Sequence, residues 1–340
     1  MTARRVSGGL CDLQVNGFAG VDFNDGGLTP AALDHALEAI LATGVTHCLP
    51  TLITAEPETL ADRLSALDHA VRTSRLGPAM VPGYHVEGPF LNDAPGYAGC
   101  HPAEAMADPD PALYDRLSAD LFRPVLLVTL APERAGALAL TRRLTAAGCT
   151  VALGHTAAGF ADVRTAAAAG ATLSTHLGNG LPQTLPKLEN TLLAQLAEPG
   201  LSACLIADGH HIGPEALAAL IRLKGADRVI LVTDAVLAAA APAGPYQFAG
   251  MAIEHSPQGA VLQPGRSNLA GSALCLDQAV RNIVDWGIAD PGQALDWAGA
   301  APRAALARSL AAHRITLDRG RVEWSEALEP TLLSPGRVLV

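Results

Sequence analysis

The sequence predicts an α/β fold, a (β/α)8 barrel of the TIM type with a small, reduced β appendage built from the chain termini. Eight short β-rich runs alternate with Ala/Leu-rich amphipathic segments, and eight parallel strands is the number that closes into a barrel. Six of the eight runs end in polar or ionisable residues, which a barrel would gather at one mouth. No GxGxxG turn follows an early strand, which sets aside the doubly wound open sheet.

The strand runs are 10–16, 45–52, 81–87, 125–131, 150–155, 171–176, 202–208 and 229–234. Helical periodicity covers 30–43, 57–73, 133–147, 158–169 and 214–224. Pro30 and Pro214 open helices, where a missing N–H costs nothing, and Gly44, Gly148 and Gly170 stand where left-handed C-caps are expected. Gly/Pro punctuation over 240–268 predicts a β-hairpin excursion after the eighth strand, followed by helices over 272–287 and 292–311. The expected organisation is one barrel over 10–312, with residues 1–9 and 313–340 forming the appendage.

Of the 340 residues, 49% are hydrophobic and 16% charged, enough for a large core. The net charge of −10 argues against nucleic acid or an anionic membrane as a partner, since both select basic surfaces. Six scattered cysteines without a CxxC pair read as free thiols in a reducing compartment. With neither a signal peptide nor a membrane span in the sequence, the expected location is the cytoplasm.

The chemistry lies at the strand ends: Asp12-Leu13-Gln14-Val15-Asn16, His85-Val86-Glu87, Gly154-His155, Thr175-His176, Asp208-Gly209-His210-His211 and Thr233-Asp234. A lone histidine at such a position is ordinarily a hydrogen-bonded structural residue. Histidines at equivalent positions of consecutive strands, with a glutamate and an aspartate similarly placed, point instead to a metal site. Glu87, His155 and His176 can surround a divalent ion and leave a coordination position for water. Asp234 then takes the proton of that water and passes it to a leaving nitrogen.

In order along residues 11–310 stand DLQVNGFAGVDFN, LPTLIT, HVEGPFLN, VTLAPE, LGHTAAGF, STHLGNGLP, LIADGHHI, LVTDA and LAGSALCLDQAVRN. This ordered set resembles the N-acetylglucosamine-6-phosphate deacetylase family of the amidohydrolase superfamily. The resemblance implies hydrolysis of N-acetylglucosamine 6-phosphate to glucosamine 6-phosphate and acetate. It places Glu87, His155 and His176 on the metal, Asp234 as acid/base and His211 as the histidine that binds and polarises the substrate. It makes His101, Asn179, Gly180, Lys187, Gln14, Asn16 and Ser272 substrate-contacting residues, with Asn179 in the phosphate loop. Gln14-Val15-Asn16 replaces the HxH that holds a second metal in many amidohydrolases, so one ion per site is expected, with zinc foremost and iron, manganese or cobalt as alternatives. A homodimer is implied in the same way.

Lys187 falls where the family has a phosphate-gripping arginine and lacks its bidentate fork, which keeps a galactosamine epimer or an unphosphorylated sugar open as substrate. A non-catalytic sugar-phosphate-binding barrel predicts damage at the metal or base positions, and the sequence shows none. Asp22, Asn24 and Asp25 read as a turn, His35 as surface and His47 as a packed barrel residue; Glu254 and His255 read as exposed. His210 is the alternative to His211 as the pocket imidazole.

Overall fold

A computed structural model describes residues 4–265 and 268–340; residues 1–3 of the expected 1–9 segment and 266–267 of the expected 240–268 segment lie outside the described residues. Eight strands form one parallel sheet: β1 (Leu10–Val15), β2 (Val45–Ile53), β3 (Tyr84–Glu87), β4 (Val125–Leu130), β5 (Thr150–Leu153), β6 (Ala171–Ser174), β7 (Ser202–Leu205) and β8 (Val229–Leu231). Each pairs with the next in sequence. Between β8 and β1 there is no ladder. A single parallel bridge, Val15 to Ala235, closes the ring there, with the N–H groups of Asn16 and Gly17 donating to the Ala235 carbonyl at 2.7 and 3.2 Å. The strands read as continuous apolar runs because helices cover one face and the barrel interior fills the other. All nine residues of β2 are buried.

One helix follows each strand: α1 (Pro30–Ala42), α2 (Pro57–Thr73), α3 (Pro111–Ser118), α4 (Ala137–Ala146), α5 (Phe160–Ala169), α6 (Thr191–Ala197), α7 (Pro214–Lys224) and α8 (Leu276–Asp285). Helix α1 shows how local sequence makes such an element. The Thr29 side chain caps its first turn by accepting from the Ala32 N–H, and Leu33, Ala36, Leu37 and Ile40, at helical spacing, are its buried stripe. Helices α9 (Pro291–Ala298) and α10 (Ala300–Ala312) complete the barrel's outer layer.

The departures from expectation have local causes. The helix expected over 292–311 breaks at Gly299, whose φ of −126° and ψ of −68° are not helical. Helix α4 starts at Ala137 rather than 133 because Gly136 is left-handed, with φ +88°. Strand β3 starts at Tyr84 rather than 81, since Gly77–Met80 is a helical turn and Pro82 offers no N–H to a ladder. Short α3 and α6 carry too little periodicity to stand out. The excursion after β8 is a three-stranded meander rather than a hairpin: β9 (Gly244–Phe248), β10 (Met251–His255) and β11 (Val261–Leu262). Phe248, Ile253 and Val261 pack it against Ile53 and Val236 at the barrel mouth.

Two small antiparallel sheets use the chain ends: Arg5–Ser7 with Arg321–Trp324 and Pro330–Ser334, and Thr316–Asp318 with Arg337–Leu339. Trp324 anchors the first. It is fully buried, donates its indole N–H to Ser7 Oγ at 2.8 Å and packs over Gly44 at the end of α1. Trp324→Ala is expected to cost about 3–5 kcal/mol of stability by emptying that space. Denaturant unfolding should show the loss while the folded variant keeps its activity.

Asn24 belongs to a buried turn, donating to the Thr51 carbonyl and accepting from the Ile53 N–H. His47 is fully buried between Thr46, Arg303 and the Arg337 carbonyl, and His35 is exposed. Glu254 is exposed, whereas His255 is half-buried with Nδ1 on the Pro242 carbonyl. All six cysteines are free. Among the described residues no helix is long and apolar enough to cross a membrane.

Candidate metal centre and active site

The strand ends open into a cleft of about 790 Å³ whose lining includes Glu87, His155, His176, His211 and Asp234. Glu87 closes β3, while His155 and His176 each stand two residues past the end of their strand. There the backbone turns left-handed, with φ +50° at His155, +27° at His176 and +51° at Asp234. Such conformations are strained for residues other than glycine and concentrate at functional sites. These turns end the ladders earlier than the sequence suggests and turn three functional side chains into the mouth.

Glu87 Oε1 lies 3.0 Å from His176 Nε2 and 3.5 Å from His155 Nε2, and the two Nε2 atoms are 3.1 Å apart. Ligands at ~2.0–2.1 Å from a tetrahedral ion are separated by ~3.3 Å, so this triangle fits one divalent ion. At His155 the proton count agrees. His155 Nδ1 faces the Tyr97 carbonyl at 2.7 Å and must donate to it, which leaves Nε2 of the neutral ring as a lone pair. All three residues are buried, and among the described residues they are the one such group of potential ligands. Burial alone would raise the Glu87 pKa, but His101, His155 and His176 hold it well below the usual carboxylate range. For His176 burial acts downward and is outweighed by Glu87, so its pKa is raised.

Asp234 sits beside this triangle. Its Oδ1 accepts from Gln14 Nε2 at 3.0 Å and from Asn16 Nδ2 at 2.7 Å. Burial, reinforced by the Glu87 charge, pushes the Asp234 carboxyl up to about 6, against the opposing pull of His176, His211 and Asn16. Across the cleft, His211 Nδ1 meets Asp208 Oδ2 at 2.7 Å, and Asp208 Oδ1 also accepts the backbone N–H groups of His210 and His211, both at 2.8 Å. Burial would raise Asp208, but His211 holds it below the ordinary range.

The remaining expected contacts divide. Asn16, His101, Asn179, Gly180 and the exposed His210 line the cleft. His101 packs its ring 4.5 Å from that of His155, binds Thr54 Oγ1 through Nδ1 at 2.9 Å and places Nε2 3.7 Å from Glu87. Three expected substrate contacts stand elsewhere. Gln14 gives its amide nitrogen to Glu87 Oε2 and Asp234 Oδ1, both at 3.0 Å, so it bridges the two carboxylates and has no hydrogen left for a substrate. Ser272 is buried outside the lining, donating to the Thr233 carbonyl at 2.6 Å and accepting from the Leu274 N–H. Lys187 is exposed and outside the lining, although Leu185 and Leu192 on either side of it border the cleft.

The structure also shows supporting residues that sequence reasoning passed over. Asp208 orients His211. Glu133 accepts from Asn92, from Thr156 Oγ1 and from the Ala157 N–H, and so holds the loop that follows His155. Both stand in the motifs quoted above, VTLAPE and LIADGHHI, which was the available signal. Gly180 has a steric role. At φ +62°, a Cβ there would lie 2.6 Å from His155 Nδ1, on the atom that binds Tyr97. Gly180→Ala is therefore expected to weaken metal retention about 10- to 100-fold, read by metal titration of the purified variant.

A (β/α)8 barrel that carries, at one mouth, three residues able to hold a divalent ion is the architecture of a metal-dependent amidohydrolase. No protein-family model matches the chain. Individual proteins do. The N-acetylgalactosamine-6-phosphate deacetylase of Escherichia coli O157:H7 is 36% identical over 292 residues, covering 86% of this chain and 75% of the relative. The N-acetylglucosamine-6-phosphate deacetylase of Lysinibacillus sphaericus is 32% identical over 285 residues, covering 81% and 69%. A mutant N-acetyl-D-glucosamine-6-phosphate deacetylase of Mycobacterium smegmatis, solved in complex with N-acetyl-D-glucosamine-6-phosphate, superposes with a TM-score of 0.86 at 29% identity, over 99% of this chain and 87% of that one. The chain belongs to the N-acetylglucosamine-6-phosphate deacetylase family.

Proposed function

We propose that the chain hydrolyses N-acetylglucosamine 6-phosphate to glucosamine 6-phosphate and acetate. The observation that carries this reading is the carboxyl of Asp234, held by two amides beside the Glu87–His155–His176 triangle in a cleft wide enough for a sugar. Bound by those three residues, a divalent ion supplies a Lewis acid for the acetyl carbonyl and a more acidic water. Asp234 takes the proton of the attacking water and returns it to the departing amine. Asp208 accepts from His211 Nδ1 and so orients the ring, and in its doubly protonated form the Nε2–H is the donor that meets the carbonyl oxygen. Gln14 and Asn16 keep Asp234 aligned, and His101 covers the outer side of Glu87. Asn179 and Gly180 line the part of the cleft assigned to the phosphate.

Zinc is the proposed ion, one per chain, because two imidazoles and one carboxylate make a borderline donor set that iron, manganese and cobalt share. A homodimer in a reducing compartment such as the cytoplasm completes the reading, the latter in keeping with six free cysteines. The galactosamine epimer is the second reading, favoured by the relative named for that substrate at 36% identity. Among the described residues lining the cleft there is no lysine or arginine, so the phosphate dependence is worth measuring directly. Acetate release from N-acetylglucosamine 6-phosphate, its galactosamine epimer and N-acetylglucosamine, with metal content read on the same sample, is the test. Turnover of the first above the others supports the proposal; turnover of the second alone replaces it with the epimer.

A further inference from the structure

The joint between β8 and β1, which has no ladder, is held from inside by a carboxyl group that the proposed mechanism does not use. Asp12 lies on β1 two residues before Gln14, Thr233 immediately precedes Asp234, and both are buried. Asp12 Oδ1 accepts from the N–H groups of Gln14 and Thr233, each at 3.2 Å, and Oδ2 is 2.6 Å from Thr233 Oγ1. The same hydroxyl oxygen lies 3.2 Å from the Gln14 carbonyl and accepts from the Ala235 N–H at 3.1 Å.

A threonine hydroxyl has one hydrogen. If Asp12 is ionised, that hydrogen goes to Oδ2 and the Gln14 carbonyl loses it. If Asp12 carries a proton, its O–H donates to Thr233 Oγ1, the threonine donates to Gln14, and every contact is made. The short 2.6 Å separation falls on the oxygen that would bear the proton, and both N–H donors converge on the other. Among the described residues no cationic side chain pairs with Asp12, and Asp234 is the charged group that acts on it. Burial pushes the Asp12 carboxyl up to about 7, against the opposing pull of the hydrogen bonds from Thr233 and Gln14 and with the Asp234 charge adding a little.

We propose that Asp12 is a positioning residue which, as a neutral acid, staples β1 to β8 through Thr233 and so fixes both Asp234 and the Gln14 amide that bridges it to Glu87. Asp12 touches neither substrate nor ion. Without it, Gln14 and Asp234 would be carried on two strands joined by a single bridge, and the geometry between base and triangle would loosen.

The activity part of the test rests on the deacetylase reading, so a second readout is independent of substrate. Asparagine at position 12 keeps an acceptor for the two N–H groups and a donor for Thr233, whereas alanine keeps neither. Asp12→Ala and Thr233→Val are expected to lower kcat about 10- to 100-fold, with KM within about threefold and metal content unchanged. Asp12→Asn and Thr233→Ser should restore kcat to within about threefold of the original chain. In infrared difference spectra at about pH 6, below the raised pKa, the original chain should show a protonated carboxyl band that Asp12→Asn lacks. An original chain inactive on every amino sugar overturns the deacetylase reading and leaves the band to decide the state of Asp12. Loss of activity in Asp12→Asn as deep as in Asp12→Ala, full kcat in Thr233→Val, or no difference band overturns the neutral staple.

Discussion

Asp234→Asn is expected to lower kcat by about 10²- to 10⁴-fold while the protein keeps its ion and its thermal midpoint. The change removes the basic oxygen and little else. Asparagine Oδ1 can still accept from Gln14 Nε2 and Asn16 Nδ2, the two contacts that position the side chain. Asparagine is also among the residues that best tolerate the left-handed backbone, so φ +51° adds little strain. The ion's triangle, Glu87–His155–His176, is untouched. Steady-state kinetics with metal analysis on the same preparation separates the two roles. A variant that turns over within tenfold of the original chain removes Asp234 from the proton transfers, and one that loses its ion makes it a ligand.

Glu87→Ala should be as damaging by a different route. It takes away the one anionic member of the triangle, leaving two imidazoles whose Nε2 atoms face each other at 3.1 Å. It also frees the Gln14 amide that Glu87 and Asp234 share. Loss of several kcal/mol of transition-state stabilisation corresponds to a rate loss on the order of 10³-fold or more. The purified variant should hold far less than one ion per chain. Chelator-treated original protein should recover activity when a divalent salt is added back, and Glu87→Ala should not recover at the same concentration. Full metal occupancy in the variant would move the ion elsewhere in the cleft.

The barrel was legible because its code is simple. Strands buried on both faces are continuous apolar runs, so the eight strands could be counted from residue type alone, and most of the helices between them show one buried stripe. The triangle was legible for a related reason: Glu87, His155 and His176 are unusual residues at equivalent places in the count. Less was legible where one side chain's function depends on where its hydrogens go. Gln14 and Ser272 have the chemistry to touch a sugar, but three-dimensional neighbours claim their donors first. Lys187 lies at the right spacing after His176, yet it is exposed while its neighbour Leu185 takes the place in the lining. Glu133 went unread because its partners, Asn92, Thr156 and the Ala157 N–H, lie on loops distant in sequence, and Asp208 was read as a strand-end residue without its role toward His211.

The left-handed turns at His155, His176 and Asp234 bear on how this site could be redesigned. Histidine and aspartate are among the few side chains that accept such a backbone, and valine, isoleucine and threonine are among the worst. A combinatorial library that randomises these three codons will therefore lose its β-branched members to misfolding before any substrate is offered. The survivors will be enriched in asparagine, aspartate, histidine and glycine whatever reaction is selected, so enrichment at these positions needs an unselected, folded control population before it is credited to chemistry.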